Sequence, residues 1–181
     1  MEILGIAGSL RRGSHNRKLL RAAGDELPPG AVLTEWDGLR DLPPFDEDLG
    51  NSPPEAVREF REAIEAADAV LIAAPEYNAS IPGVLKNALD WASRPLAESP
   101  VLNKPAAVIS SSTGMFGGVW AAAETRKVLG ALGARVLDDT VTLPKAHERL
   151  ADGVDEALSD ELRSVVHALV AAVETRLAAA A

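Results

Sequence analysis

The chain contains no cysteine, and that one absence removes disulfides, iron–sulfur clusters, thiol nucleophiles and thiolate zinc sites together. Its three histidines, His15, His147 and His167, are too scattered along the sequence to suggest a metal cluster. Aromatic residues make up 4% of the chain, leaving few rings to sandwich a planar ligand. No apolar run approaches the roughly 20 residues of a membrane span, and "MEILGIAG" at the start has no basic stretch ahead of its apolar residues. A cytoplasmic protein is expected. Basic residues are in deficit as well: 18 Lys and Arg against 27 Asp and Glu give a formal charge of −9. A nucleic acid or an anionic membrane would be repelled by that surface, so any phosphate held here is held locally.

What is present is the apolar supply of one well-buried domain, 47% hydrophobic residues over residues 1–181. Strand-like and helical patterns alternate: "EILGIAG" then "NRKLLRAAGDEL", "AVLTEW" then "PEAVREFREAIEAAD", "AVLIAA" then "PGVLKNALDWAS", "AAVISSS" then "GVWAAAETRKVLGALG". "ARVLDDTVTL" and the long "DEALSDELRSVVHALVAAVETRLAAA" follow, the final "LAAAA" reading as a frayed helix end. Such alternation predicts a parallel sheet with helices on both faces, and the continuous apolar runs "AVLIAA" and "AAVIS" predict central strands buried on both sides. Ser52, two prolines and Glu55 form a capping-box pattern ahead of Val57, Phe60 and Ile64, which share a helix face. The Pro-, Asp- and Gly-rich "DGLRDLPPFDEDLGNSPP" reads as a long loop rather than a domain boundary. Five strands in this alternation leave two doubly wound architectures: the flavodoxin-like strand order 2-1-3-4-5, or half of a dinucleotide-binding fold.

In either, ligands sit beyond the carboxyl ends of the strands at the switch point. After strand one comes "GSLRRGSHN", where small residues allow a tight turn, Ser9, Ser14 and Asn16 offer hydrogen bonds, and the next helix aims its free amides at the loop. That describes a phosphate cradle, with Arg11 or Arg12 as an added cation; the plainer reading is a surface turn capping a helix through Ser14. Ser14 stands where a Walker A loop requires Lys, and no G-x-G-x-x-G fingerprint begins at Gly5 or Gly8, so neither standard nucleotide motif is complete. After strand three comes "PEYNASIPG", stiffened by Pro75 and Pro82, which presents the peptide groups of Glu76, Tyr77 and Asn78 to a planar ligand. Tyr77 is either a ring-stacking residue or a rim aromatic. After strand four comes "SSSTGMFGGV", whose Ser112, Thr113, Gly114, Gly117 and Gly118 permit a flat ligand to approach the backbone closely.

These segments, with "PEYNASIPGVLKNALDW" the most specific and "LPKAHERL" in support, resemble the NADPH-dependent FMN reductase family of flavodoxin-like proteins, which includes quinone, chromate and azo-dye reductases. The resemblance runs nearly the whole chain. It implies a three-layer sandwich around a five-stranded parallel sheet of order 2-1-3-4-5, with FMN as cofactor and NADPH or NADH as co-substrate. By the same resemblance Ser9, Arg11, Ser14 and Asn16 would bind the FMN phosphate. Pro75, Glu76, Tyr77 and Asn78 would line the isoalloxazine, and Ser112, Thr113, Gly114 and Gly117 would close its other side. Hydride would pass from nicotinamide to flavin N5 and then, by a ping-pong cycle, to a quinone, flavin, azo or metal-oxyanion acceptor. No side chain is assigned as catalytic, no metal is expected, and Glu76 is read as shaping its loop.

The family also implies a homodimer or a dimer of dimers, pairing through the helix of residues 83–93, where Leu85, Leu89 and Trp91 are candidates for burial between subunits or in the core. Lys86 and Asp90, one turn apart, are expected to pair. Relatives often carry Arg in a "GGxR" pattern where this chain has Trp120, so a charge that would assist an anionic acceptor is missing; Trp120 is expected in the core rather than roofing the pocket. The rival reading is a flavodoxin-type electron carrier without NAD(P)H oxidation of its own, which the acidic charge suits and the shortage of aromatic residues opposes. A third is a module that binds a phosphorylated ligand without redox chemistry.

Overall fold

In the computed structural model, which describes residues 1–50 and 52–180, the five predicted strands are β1 (Glu2–Ala7), β2 (Val32–Trp36), β3 (Ala69–Ala73), β4 (Pro105–Ser111) and β5 (Arg135–Leu143). They pair in parallel in the order β2-β1-β3-β4-β5. This is the flavodoxin-like alternative. The chain moves outward from β1 to β2 and returns past β1 to β3, which places the switch point between β1 and β3.

Strand alternation assigns each side chain to a layer. Ile3 and Ala7 of β1, with Ala69, Leu71 and Ala73 of β3, face α1 (His15–Asp25) and α6 (Glu156–Ala180). Leu4 and Ile6, with Val70 and Ile72, face α2 (Glu55–Ala66), α3 (Gly83–Ala92) and α4 (Val119–Ala131). Every residue of β3 and β4 is buried, which is why those strands read as unbroken apolar runs. Each fully buried Leu or Ile contributes about 1.5–3 kcal/mol, so the two layers hold the sheet rigid beneath its loops.

The helix around Val57, Phe60 and Ile64 forms with all three buried, but its start differs from the expected capping box. Glu55 is the first helical residue rather than the third, Pro54 occupies the cap position, and no side chain caps it. Two consecutive prolines keep the chain extended past Ser52, whose N–H instead bonds Leu49 O at 3.0 Å. The preceding loop holds two short 3₁₀ turns, Gly38–Arg40 and Glu47–Leu49. Asn51 of that loop, and Ala181 at the end of the expected frayed terminus, lie outside the described residues; α6 itself continues through Ala180.

Leu85, Leu89 and Trp91 are 0, 2 and 1% exposed, so core packing, and not a subunit contact, is their role. Pro43 O accepts bonds from the Trp91 indole N–H (2.8 Å) and the Asn87 amide (2.9 Å), while Asn87 Oδ1 accepts the Phe45 N–H at 2.7 Å. The long loop is thereby pinned onto α3. Lys86 and Asp90 form the expected one-turn ion pair at 2.6 Å. At the amino end of the strands, opposite the switch-point loops, the buried Lys104 ammonium donates to Ala67 O (2.5 Å) and Glu65 O (3.2 Å), covering the carbonyl end of α2.

Candidate functional site

The loop after β1 is fixed from both ends. Gly8 N–H extends the β1–β3 ladder to Ala73 O (2.9 Å), and Ser14 N–H bonds back to Arg11 O (3.1 Å). Ser14 is the N-cap of α1, with its hydroxyl accepting the Arg17 N–H at 3.2 Å. That leaves the first amides of the helix, His15 and Asn16, without intrahelical acceptors. Ser9 is buried, accepts the Arg11 N–H (3.3 Å) and lies 3.1 Å from the Tyr77 hydroxyl. Arg11 curls over its own loop, one guanidinium nitrogen donating to Gly13 O at 2.9 Å. The buried Asn16 reaches across the sheet, its Nδ2 donating to Ser111 O (2.8 Å) and its Oδ1 accepting Ser111 N–H (2.9 Å). Its side chain is committed to that strap, so what it offers a ligand is its backbone N–H.

After β3 the buried Pro75 is followed by Glu76, whose carboxylate accepts the N–H groups of Trp120 (3.1 Å) and Ala121 (3.3 Å). Glu76 is thus the cap of α4, whose own cap residue Gly118 has no side chain and a φ of 86°. Tyr77 and Ser80 exchange backbone bonds at 3.0 and 3.1 Å around Asn78 (φ 54°) and Ala79 (φ 60°), a type I′ turn. Tyr77 stands half-exposed above Ser9. Asn78 sits on the tip of the turn, away from the cavity wall.

After β4, Ser112 is held between β5 and α5 (Ala146–Arg149), its N–H bonding Leu143 O and its carbonyl accepting Ala146 N–H. Two glycines of this loop are required by its packing. A Cβ on Gly117 would come within 2.6 Å of the Thr142 backbone, and one on Gly118 within 2.0 Å of Ser110 Oγ. They let the loop pack on β5 and β4, whereas a Cβ on Gly114 would meet only Ser112 Oγ, at 3.7 Å. Trp120 is 49% exposed and meets Phe116 edge-on at 5.0 Å. It is therefore not a core residue: Ala121, Ala122, Thr125 and Leu129 make up the buried side of α4, and Trp120 falls on the other.

The three loops enclose a cavity of about 280 Å³, open along one side. Ser9, Arg11, Ser14 and Asn16 line it from the first loop, Pro75, Glu76 and Tyr77 from the second, and Ser112 and Thr113 from the third. Asn78, Gly114 and Gly117 of the predicted set do not line it. Two residues outside that set do: Ser111, whose buried Oγ has no hydrogen-bond partner, and His15, whose Nδ1 is equally sealed and unpartnered. Their signal was faint, since both are single letters beside predicted residues. Burial, then the charges of Arg11, Lys18 and His147, hold the His15 imidazole below the usual histidine pKa.

Hydroxyls, free helix amides and a guanidinium form a donor set for an anion. With Glu76 turned onto α4, no carboxylate among them opposes a phosphate, and orphaned Ser111 Oγ offers a further bond. The chemistry of this donor set fits the phosphate group of FMN. Among the described residues no group of His, Asp and Glu could hold a metal ion.

The NADPH-dependent FMN reductase profile matches residues 1–148. An NAD(P)H-dependent FMN reductase of Pseudomonas aeruginosa is 39% identical over 96% of this chain and 94% of its own length. A quinone reductase of Pseudomonas putida is 46% identical over 68% of this chain and 67% of its own. Among solved structures, the flavoenzyme NAD(P)H:(acceptor) oxidoreductase FerB from Paracoccus denitrificans superposes with a TM-score of 0.86 at 34% identity, covering 96% of this chain and 97% of that one. The chain belongs to the NADPH-dependent FMN reductase family, oxidoreductases that work with FMN and NAD(P)H.

Proposed function

We propose that residues 1–181 form one FMN-binding unit that passes hydride from NAD(P)H, through bound FMN, to a small acceptor of the quinone class in a ping-pong cycle. The observation that carries this reading is the convergence of three loops on one cavity whose anion donors survive in a chain of net charge −9. Bound FMN supplies the hydride-accepting and hydride-donating ring; the side chains need only bind and orient it. Ser9, Arg11, the Ser14 turn and the amides of His15 and Asn16 would hold the phosphate, each charge-assisted bond contributing about 1.5–3 kcal/mol. Pro75, Glu76 and Asn78 would present the second loop to the ring with Tyr77 above it, and Ser112, Thr113 and Gly114 would meet it from the third, with Gly117 setting that loop's path.

Pockets that enclose a ligand run from about 300 to 1,000 Å³. At about 280 Å³ and open on one side, this cavity would leave a face of the ring accessible, so nicotinamide and acceptor would occupy the same space in turn. Quinones are favoured over azo compounds, free flavin and metal oxyanions because the Pseudomonas putida relative is a quinone reductase. Pairing of two copies belongs to the same reading; with Leu85, Leu89 and Trp91 spent on the core, the exposed apolar rim of Met115, Phe116, Val119 and Trp120 is the surface suited to it. Cytoplasmic placement is likewise part of the proposal.

The test is a purified protein that is yellow, releases FMN on denaturation and oxidises NAD(P)H when a benzoquinone is added. Initial rates varied in both substrates should give parallel double-reciprocal lines. Intersecting lines would replace the ping-pong cycle with a ternary complex, and a stable one-electron state with negligible NAD(P)H oxidation would replace the reductase with a carrier.

A further inference from the structure

The histidines that look unrelated in sequence are not all unrelated in space. His147, on α5, stands near enough to His15 for its charge to weigh on that imidazole, although 132 positions separate the two names in the chain. His15 is the first residue of α1 and part of the cavity wall. Its Nδ1 is sealed from solvent without a partner, and its Nε2 makes no hydrogen bond among the described residues. The predicted phosphate ligands around it each hold one contact within the protein and keep donors to spare: Ser9 Oγ beside Tyr77, one Arg11 nitrogen on Gly13 O, Ser14 Oγ accepting the Arg17 N–H, the Asn16 side chain with Ser111.

Charges bear on this ring from its own segment and from α5. Arg11 and Lys18 belong to its own loop and helix, and His147 comes from α5. The acid nearest His147 is Glu148, 3.4 Å from its Nε2 and also 3.9 Å from Lys145 Nζ. Glu76, across the cavity, has its carboxylate turned onto α4. Burial first, and then the positive charges of Arg11 and Lys18, keep the ring neutral near pH 7. A dianionic phosphate ester seated among those cations reverses the local field.

We propose that His15 is a proton-controlled ligand of the FMN phosphate, donating a hydrogen bond to it and taking up a proton from solvent as it seats. This rests on the assignment of the cavity to FMN. The sign follows from linkage: a ring with a higher proton affinity in the complex than in the free protein makes binding tighter as pH falls between the two pKa values. The phosphate's own second proton, with a pKa of about 6, opposes the effect at lower pH, so the slope is read above that value.

The experiment is calorimetric titration of the flavin-stripped full chain with FMN and with riboflavin, in two buffers of different ionisation enthalpy, for wild type, His15→Phe and His15→Gln. Wild type should take up a fraction of a proton on binding FMN and lose about threefold to tenfold in affinity from pH 6.5 to 8. His15→Phe should lose that proton and that slope, and fall below wild type mainly at pH 6.5. His15→Gln, which keeps a donor that cannot titrate, should recover part of the affinity without the slope. Riboflavin, lacking the phosphate, should bind all three proteins alike. Equal proton uptake by wild type and His15→Phe, or an equal loss of riboflavin and FMN affinity, would overturn the inference while leaving the cavity assignment standing. No FMN binding by wild type at any pH would overturn both.

Discussion

The Glu76 carboxylate bonds the Trp120 N–H at 3.1 Å and so ties the loop after β3 to the first turn of α4. A cap supplied from another segment does two things at once, closing the helix end and fixing the loop that would face the flavin. Glu76→Ala should cost about 0.5–2 kcal/mol, which for a chain of this size is a melting temperature lower by about 2–4 °C per kcal/mol. Glu76→Gln, which keeps an acceptor, should recover most of it. Equal melting of all three proteins would show that the cap is idle.

Asn16 and Ser111 are 95 positions apart and share two hydrogen bonds in a buried setting. Asn16→Ala strands both the N–H and the C=O of Ser111, a cost of about 2–4 kcal/mol. Urea unfolding should register it as a lower midpoint with unchanged slope. A loss under about 0.5 kcal/mol would mean that water replaces the strap.

Ser14→Asp separates the two functions of the loop. Asp is as good a helix cap as Ser, so far-UV circular dichroism should not change. A carboxylate against the phosphate should weaken FMN about 10- to 100-fold or more, read by flavin fluorescence quenching. Unchanged affinity would remove Ser14 from the phosphate site.

Lys104 gives the fold a pH dependence of its own. Burial, more than any charge near it, lowers its pKa to about 8, against 10.5 for a free lysine. Between those values the unfolded chain holds the proton more firmly than the folded one, so this residue adds stability as pH rises from about 8 towards 10 and adds none of that gain below 8. Comparing urea midpoints of wild type and Lys104→Met at pH 7 and 9.5 isolates the effect. The difference between them should move in favour of wild type at the higher pH; a difference that stays constant would place the folded pKa near the free value.

The sequence patterns were legible where structure is local. Unbroken apolar runs identified β3 and β4, alternation with helices identified the layers, and the three loops were recognisable as strand-end segments. Partnerships across the chain were not. Nothing near Asn16 points to Ser111, nothing near Trp91 points to Pro43, and Glu76 gives no sign of capping a helix that starts more than 40 positions later. The open choice at Trp91 and the misplaced expectation at Trp120 share this cause: a large apolar residue on a helix looks the same whether its neighbours in space bury it, as Pro43 and Phe45 do Trp91, or leave it uncovered, as at Trp120. The packing requirement at Gly117 was hidden for a related reason, since the backbone that crowds it belongs to β5.

The uneven placement of the indoles has a practical outcome. Trp91 is sealed and Trp36 meets Phe60 with ring centroids 4.3 Å apart, while Trp120 is half-exposed on the first turn of α4, which Glu76 of the cavity wall caps. Emission at long wavelength should come chiefly from that third ring, giving an intrinsic optical gauge of the rim. A blue shift on raising protein concentration would register self-association there, and quenching by acceptor at fixed concentration would register occupancy, without a label on either partner.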